Sequence, residues 1–110
     1  MKAADLHHEE VLSFEAGGGV VRFGGSRIIL LDATALGLLR KELIEDLGAN
    51  GARMVLTRFG FAHGWRTAEN LRRDFPWDSD EEWRRAGATI LTLLGHAVVE
   101  LTGDAAEAIW

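Results

Sequence analysis

Histidine is the side chain whose ordinary pKa lies nearest neutrality, so acid–base or metal chemistry in these 110 residues starts from His7, His8, His63 and His96. A metal reading of His7 and His8 needs both rings on one face, which adjacent positions of a regular element do not share. They read instead as part of a flexible, solvated N-terminal tail, residues 1–10. His63 stands beside Trp65 with no second histidine or carboxylate at ligand spacing, so it reads as a ring that satisfies local hydrogen bonds. The remaining chemical option is a small hydrolase or isomerase pairing His63 or His96 with Glu69 or Glu100. Such a pair must converge in a cleft, and no motif brings these residues together. Cysteine is absent, which excludes thiolate metal ligands and disulfides. No catalytic residue, metal site or cofactor is implied.

Two further patterns resolve into structure. Gly17-Gly18-Gly19 could cradle a phosphate, but it leads into a strand and no Lys-Ser/Thr pair follows, so it reads as a hairpin turn. The acidic run Asp78-Ser79-Asp80-Glu81-Glu82 lacks the glycine and spaced ligands of a calcium loop. Ser79 followed three residues later by Glu82 has the spacing of a helix capping box.

The elements that position these residues follow from periodicity. Val11-Leu12-Ser13-Phe14 and Val20-Val21-Arg22-Phe23 are β-branched and aromatic runs on either side of the glycines. Gly24-Gly25-Ser26 turns into Arg27-Ile28-Ile29-Leu30-Leu31, whose continuous apolar character predicts a strand buried on both faces or covered by a partner. Asp32 or Thr34 caps a helix whose stripe is Ala35, Leu36, Leu39, Leu43, Ile44 and Leu47, with Gly48 as its stop. A second helix from Asn50 to about Phe75 draws an inward stripe through Ala52, Val55, Leu56, Phe59, Ala62, Ala68 and Leu71, and Pro76 ends it. Gly60 and Gly64 lie on one face of it and predict a close crossing or a kink. The third helix runs from Ser79 to about Leu94, and Ala97 to Leu101 reads as a closing strand. The fold class is therefore α+β: an antiparallel hairpin or three-strand sheet, three main helices and a C-terminal strand. One domain over residues 11–102 is expected, with residues 103–110 a tail or the start of a following segment.

At this length folding removes about 65% of the unfolded chain's surface from water, enough for one core but not for a roomy enclosed cavity. Twelve Lys and Arg against seventeen Asp and Glu leave a net charge of −5, which opposes a hold on a phosphate backbone, so no direct nucleic-acid binding is expected. No apolar run approaches the ~20 residues that cross a bilayer, and no basic-then-apolar leader is present; the expected location is the cytoplasm.

The motif order resembles a known family. Arg27 to Leu31, then Ala35-Leu36-Gly37-Leu38-Leu39-Arg40-Lys41-Glu42-Leu43-Ile44 through Gly48, then Leu56-Thr57-Arg58-Phe59-Gly60-Phe61-Ala62, is similar to the N-terminal sensory domain of XylR-type activators of aromatic catabolism. These are enhancer-binding proteins that work with the nitrogen-type sigma factor. The resemblance spans about residues 11–100. It implies a regulatory domain that senses a small aromatic effector, forms a homodimer through its front hairpin and first helix, and relieves repression of an ATPase. The ATPase and DNA-binding domains would belong to a longer protein or a partner. The family's cysteine zinc site and second lobe have no counterpart in these residues.

Where family sensors carry Gly-Pro-x-x-His against the effector hydroxyl, this sequence reads Gly87-Ala88-Thr89-Ile90-Leu91. Leucine neither donates nor accepts that hydrogen bond, which implies a more apolar effector, or a ligand-free dimerisation scaffold as the alternative. By position, Leu91 and Leu94 are expected to point inward at the effector, with Trp83 as an aromatic wall.

Overall fold

The computed structural model describes residues 1–96, and the two runs flanking the triple glycine pair as their alternation requires. β1 (Leu12–Glu15) and β2 (Val20–Phe23) are antiparallel, with Leu12 opposite Phe23 and Glu15 opposite Val20. A 3₁₀ turn over Ala16–Gly18 joins them and closes on Gly19 at φ 63°, a left-handed conformation that glycine takes at little cost. β3 (Ser26–Ile28) adds to β2, giving an antiparallel sheet of order β1-β2-β3.

β3 is shorter than its apolar run predicts, because Val21 already pairs with Ile28 and β2 begins at Val20. Past Ile29 there is no facing backbone to hydrogen-bond, so Ile29, Leu30 and Leu31 leave the sheet and stand 63–72% exposed. They are not the doubly buried strand that their composition suggests.

These residues form two compact units, Met1–Ile28 together with the chain from Ala68 onward, and Ile29–Thr67. In the first unit, residues 1–10 pack down where a solvated tail was expected. Ala3 and Leu6 are 5% and 3% exposed, next to the short helix α1 (His8–Val11). Apolar side chains at positions 3, 6 and 11 give this segment one burying face. Leu6, Val11, Phe23, Leu71, Ala86 and Ile90 form the core, with Phe75, Trp77 and Trp83 packed against it. Phe23 meets Phe75 edge-on, ring centroids 6.0 Å apart.

α2 (Ala35–Asp74) is two helices joined at Gly48, whose φ of 75° and ψ of 169° lie in a region open only to glycine. The predicted stop thus falls where the sequence puts it, and the helix resumes at once. Asp32 opens the first of the two by accepting the Thr34 N–H at 2.9 Å. The residues of α2 as far as Thr67 belong to the second unit, and those from Ala68 to the first.

α3 (Asp80–Leu93) starts on Ser79, whose hydroxyl accepts the Glu82 N–H at 3.3 Å. The Glu82 carboxylate does not complete the predicted box; it accepts the Ala3 N–H at 2.8 Å and so ties the N-terminal segment to the helix. The helix closes through Gly95 at φ 80°, where the His96 N–H reaches the Leu91 carbonyl and the Gly95 N–H that of Thr92. The strand expected over Ala97 to Leu101 and the segment 103–110 lie outside the described residues.

Candidate functional site

α3 carries the three residues that sequence position assigns to an effector. Its buried stripe is set by Ala86 and Ile90, 0% and 4% exposed, four residues apart on one face. Leu91 lies ~100° further round the helix and is 40% exposed, and Leu94, at the helix end, is 37% exposed. Both lie at the surface and do not point inward. Trp83 is half-buried, but its two polar assets are already engaged. Its indole N–H donates to the Ala68 carbonyl at 2.9 Å, and the Arg72 guanidinium sits 4.6 Å from the ring centroid. Arg72 is itself held by Asp80 at 3.1 Å. The three residues therefore share one helix without lining one enclosed space. The two best-formed depressions among the described residues are open grooves, one bounded by Arg53, Met54, Thr57 and Arg58, the other by Lys2, Ala3, Glu82, Arg85 and neighbours.

The histidines do not assemble into chemistry. His63 is exposed and stacks parallel on Phe59, centroids 5.6 Å apart. His8 donates from Nε2 to the Leu93 carbonyl at 2.7 Å, at the C-terminal end of α3, where helix carbonyls lack intrahelical donors. Among the described residues neither His63 nor His96 hydrogen-bonds a carboxylate, and no group of three potential metal ligands converges. Glu100 lies outside the described residues.

The perturbed carboxylates are structural clamps. Asp74 is held below the usual carboxylate range, first by the hydrogen bond from Arg73, against the opposing effect of burial, and further by the Ser26 hydroxyl and the Gly25 N–H. It fastens the β2–β3 turn to the end of α2. Asp78 is lowered by its hydrogen bond from the Met1 amino group.

The second unit presents a different surface. Eleven of its large apolar side chains are at least half exposed, against one, Phe14, among the described residues of the first unit, and Ala52, at 2% exposed, is its only buried hydrophobic residue. Met54, Phe61 and Trp65, spaced by seven and four residues, share one helix face, and Phe61 stacks on Trp65 with centroids 6.4 Å apart. Phe59, on the stripe expected to face inward, is 55% exposed. A Cβ on Gly60 or Gly64 would meet nothing within 4 Å, so the close approach these glycines permit is not made among the described residues. Sequence reasoning missed this surface, although Leu38, Phe61 and Trp65 fall off the assumed stripes and signal apolar character on more than one face.

Residues 5–104 match the family described as "Activator of aromatic catabolism". The chain belongs to this family. It is 31% identical over 88 residues to the phenol regulator MopR of Acinetobacter guillouiae, a match covering 80% of this chain and 16% of that protein. It is 28% identical over 102 residues to the transcriptional regulatory protein XylR of Pseudomonas putida, covering 87% of this chain and 18% of that protein. Among solved structures, the phenol-responsive sensory domain of the transcription activator PoxR, crystallised with phenol, superposes with a TM-score of 0.70 at 35% identity, over 84% of this chain and 45% of that one. The chain thus spans less than a fifth of the length of these two regulators. No helix among the described residues is long and apolar enough to cross a membrane.

Proposed function

We propose that this chain is the front part of a ligand-sensing regulatory region in a cytoplasmic bacterial transcription activator that responds to small aromatic compounds. The observation that carries the reading is the likeness to the PoxR phenol-responsive sensory domain, in both fold and sequence. A sensor has no need of catalytic groups, and the engaged or isolated histidines suit that role better than an enzyme's. The ATPase and DNA-binding domains of such an activator belong to a longer protein or a partner, and the chain works as a homodimer without touching nucleic acid itself.

In this reading Leu91, Leu94 and the flank of Trp83 form an apolar shelf on α3 that meets the effector, or the part of the protein enclosing it. The absence of a hydrogen-bonding side chain at Leu91 favours an apolar aromatic over a phenol. A thermal-shift screen of the intact protein with toluene, xylenes and phenols tests this. An effector present at 100 times its dissociation constant stabilises by about 2.7 kcal/mol, several degrees for a domain of this size. No shift with any compound would remove the sensing reading.

A second reading, a ligand-free dimerisation scaffold, is favoured by one observation: the described residues offer open grooves and a broad apolar surface in place of an enclosed cavity.

A further inference from the structure

Residues 1–11 lie along α3 from one end to the other. Near its start the Asp78 N–H donates to the Met1 carbonyl at 2.9 Å, and the Glu82 carboxylate accepts the Ala3 N–H at 2.8 Å. At its end His8 donates to the Leu93 carbonyl at 2.7 Å. Contacts from residues 1, 3 and 8 thus meet positions 78, 82 and 93 in the same order, so the segment runs parallel to the helix, over about 16 Å between Glu82 and Leu93. Ala3 and Leu6 enter the core that holds Ala86 and Ile90. Val11 passes the segment to the sheet, its carbonyl accepting the Gly24 N–H at 2.8 Å. The segment's own structure is a 3₁₀ turn over Ala3–Asp5 and the four-residue α1, both too short to stand without α3.

Tied at both ends, α3 is held in one rotation. Ala86 and Ile90 are buried while Leu91 and Leu94 lie at the surface, and bringing the two leucines round onto an effector requires the helix to turn or slide. Neither motion is open while Glu82 and Leu93 are both fastened. We propose that residues 1–11 are a clasp that opens as a unit, separately from the sheet and α2, and that an aromatic effector draws α3 into a form reached only with the clasp open. A ligand that favours the open form binds more tightly whenever the clasp is loosened, so these residues set effector affinity without touching the effector. The trigger rests on the sensing reading above; the opening of the clasp does not.

The experiment is amide hydrogen exchange of the whole chain, read residue by residue by NMR. Two variants cut one bond from either side. Glu82→Ala removes the acceptor. Ala3→Pro removes the donor, and the backbone suits it, because Ala3 opens the 3₁₀ turn and Lys2 before it is extended, at φ −102° and ψ 156°. Expected is exchange about tenfold faster at Leu6, Glu10 and Val11 in each variant, the weight of one hydrogen bond to a charged group, and no faster in the double variant than in either alone. Amides of β2 and of residues 68–74 keep their wild-type rates, and Glu82→Gln, which retains an acceptor oxygen, stays near wild type throughout. Should Ala3→Pro fail to fold, Glu82→Ala against Glu82→Gln makes the same comparison. Segment and sheet accelerating together, or no acceleration at residues 1–11, overturns the proposal. Saturating toluene, xylene or phenol is expected to speed exchange in residues 1–11 and to bind Glu82→Ala several-fold more tightly than wild type; a compound that binds and slows exchange there overturns the trigger. A clasp that opens separately while no compound binds either protein would refute the sensing reading and leave the clasp standing.

Discussion

Gly24 and Gly19 both adopt left-handed backbone, at φ 59° and 63°, yet replacing each by alanine is expected to have very different consequences. At either position alanine takes on the left-handed penalty of about 1–2 kcal/mol. At Gly19 that is all, because a Cβ there would meet nothing within 4 Å. At Gly24 the new Cβ would lie 2.8 Å from Phe75 Cζ, 3.0 Å from Cε2 and 3.3 Å from Asp74 Cβ. Phe75 is wedged against Phe23 and Trp77, so it has little room to yield. Overpacking of this kind adds about 1–3 kcal/mol, bringing Gly24→Ala to roughly 2–5 kcal/mol, a large part of a small domain's stability. Urea unfolding at one fixed protein concentration, followed by tryptophan fluorescence, measures both variants. The midpoint should fall at least about one and a half times as far for Gly24→Ala as for Gly19→Ala. Equal shifts would mean that the β2–β3 turn does not press on the end of α2, and the account of how the sheet is fastened would be wrong.

Other outcomes follow from the same contacts. Asp74 is depressed in the folded state, so its contribution is complete above the ordinary carboxylate pKa of about 4 and is lost as pH falls through the lower folded value. Urea midpoints should therefore decline on acidification below about pH 4, and less steeply in Asp74→Asn. Trp83→Phe removes the indole donor to the Ala68 carbonyl and weakens the stack on Arg72, for a loss of about 1–2 kcal/mol in chemical denaturation. Gly48→Ala cannot hold φ 75° with ψ 169°; its crystal structure should show either a continuous helix through position 48 or a shifted break, and an unchanged backbone there would contradict the assignment.

The sheet and α3 were legible because their signals are local. Triple glycine between β-branched runs, Gly48 after a periodic stripe and Ser79 before an apolar helix each determine backbone within a few residues. Three things were not legible. Ile28 to Leu31 read as one strand, but strand length is decided by the facing strand, and β2 runs out at Val20. Residues 1–10 read as a tail because Ala3 and Leu6 are too sparse to register as a stripe until the face of Ala86 and Ile90 is there to receive them. The inward stripe held at Ala52 and Leu71 but not at Phe59, because periodicity gives an apolar face without saying what covers it. The same limit applies at the candidate site: a position on α3 identified Leu91 and Leu94, and only the burial of Ile90 turned them to the surface.

The central claim is that these residues do in an activator what the matching part of a phenol-responsive sensory domain does. The most direct measurement is a chimera in which this chain replaces the matched segment of PoxR, assayed by reporter transcription across toluene, xylenes and phenols. The account predicts output that rises with at least one of these compounds and stays low without them. Constant output across the whole panel, silent or fully active, from a chimera that accumulates normally would contradict it.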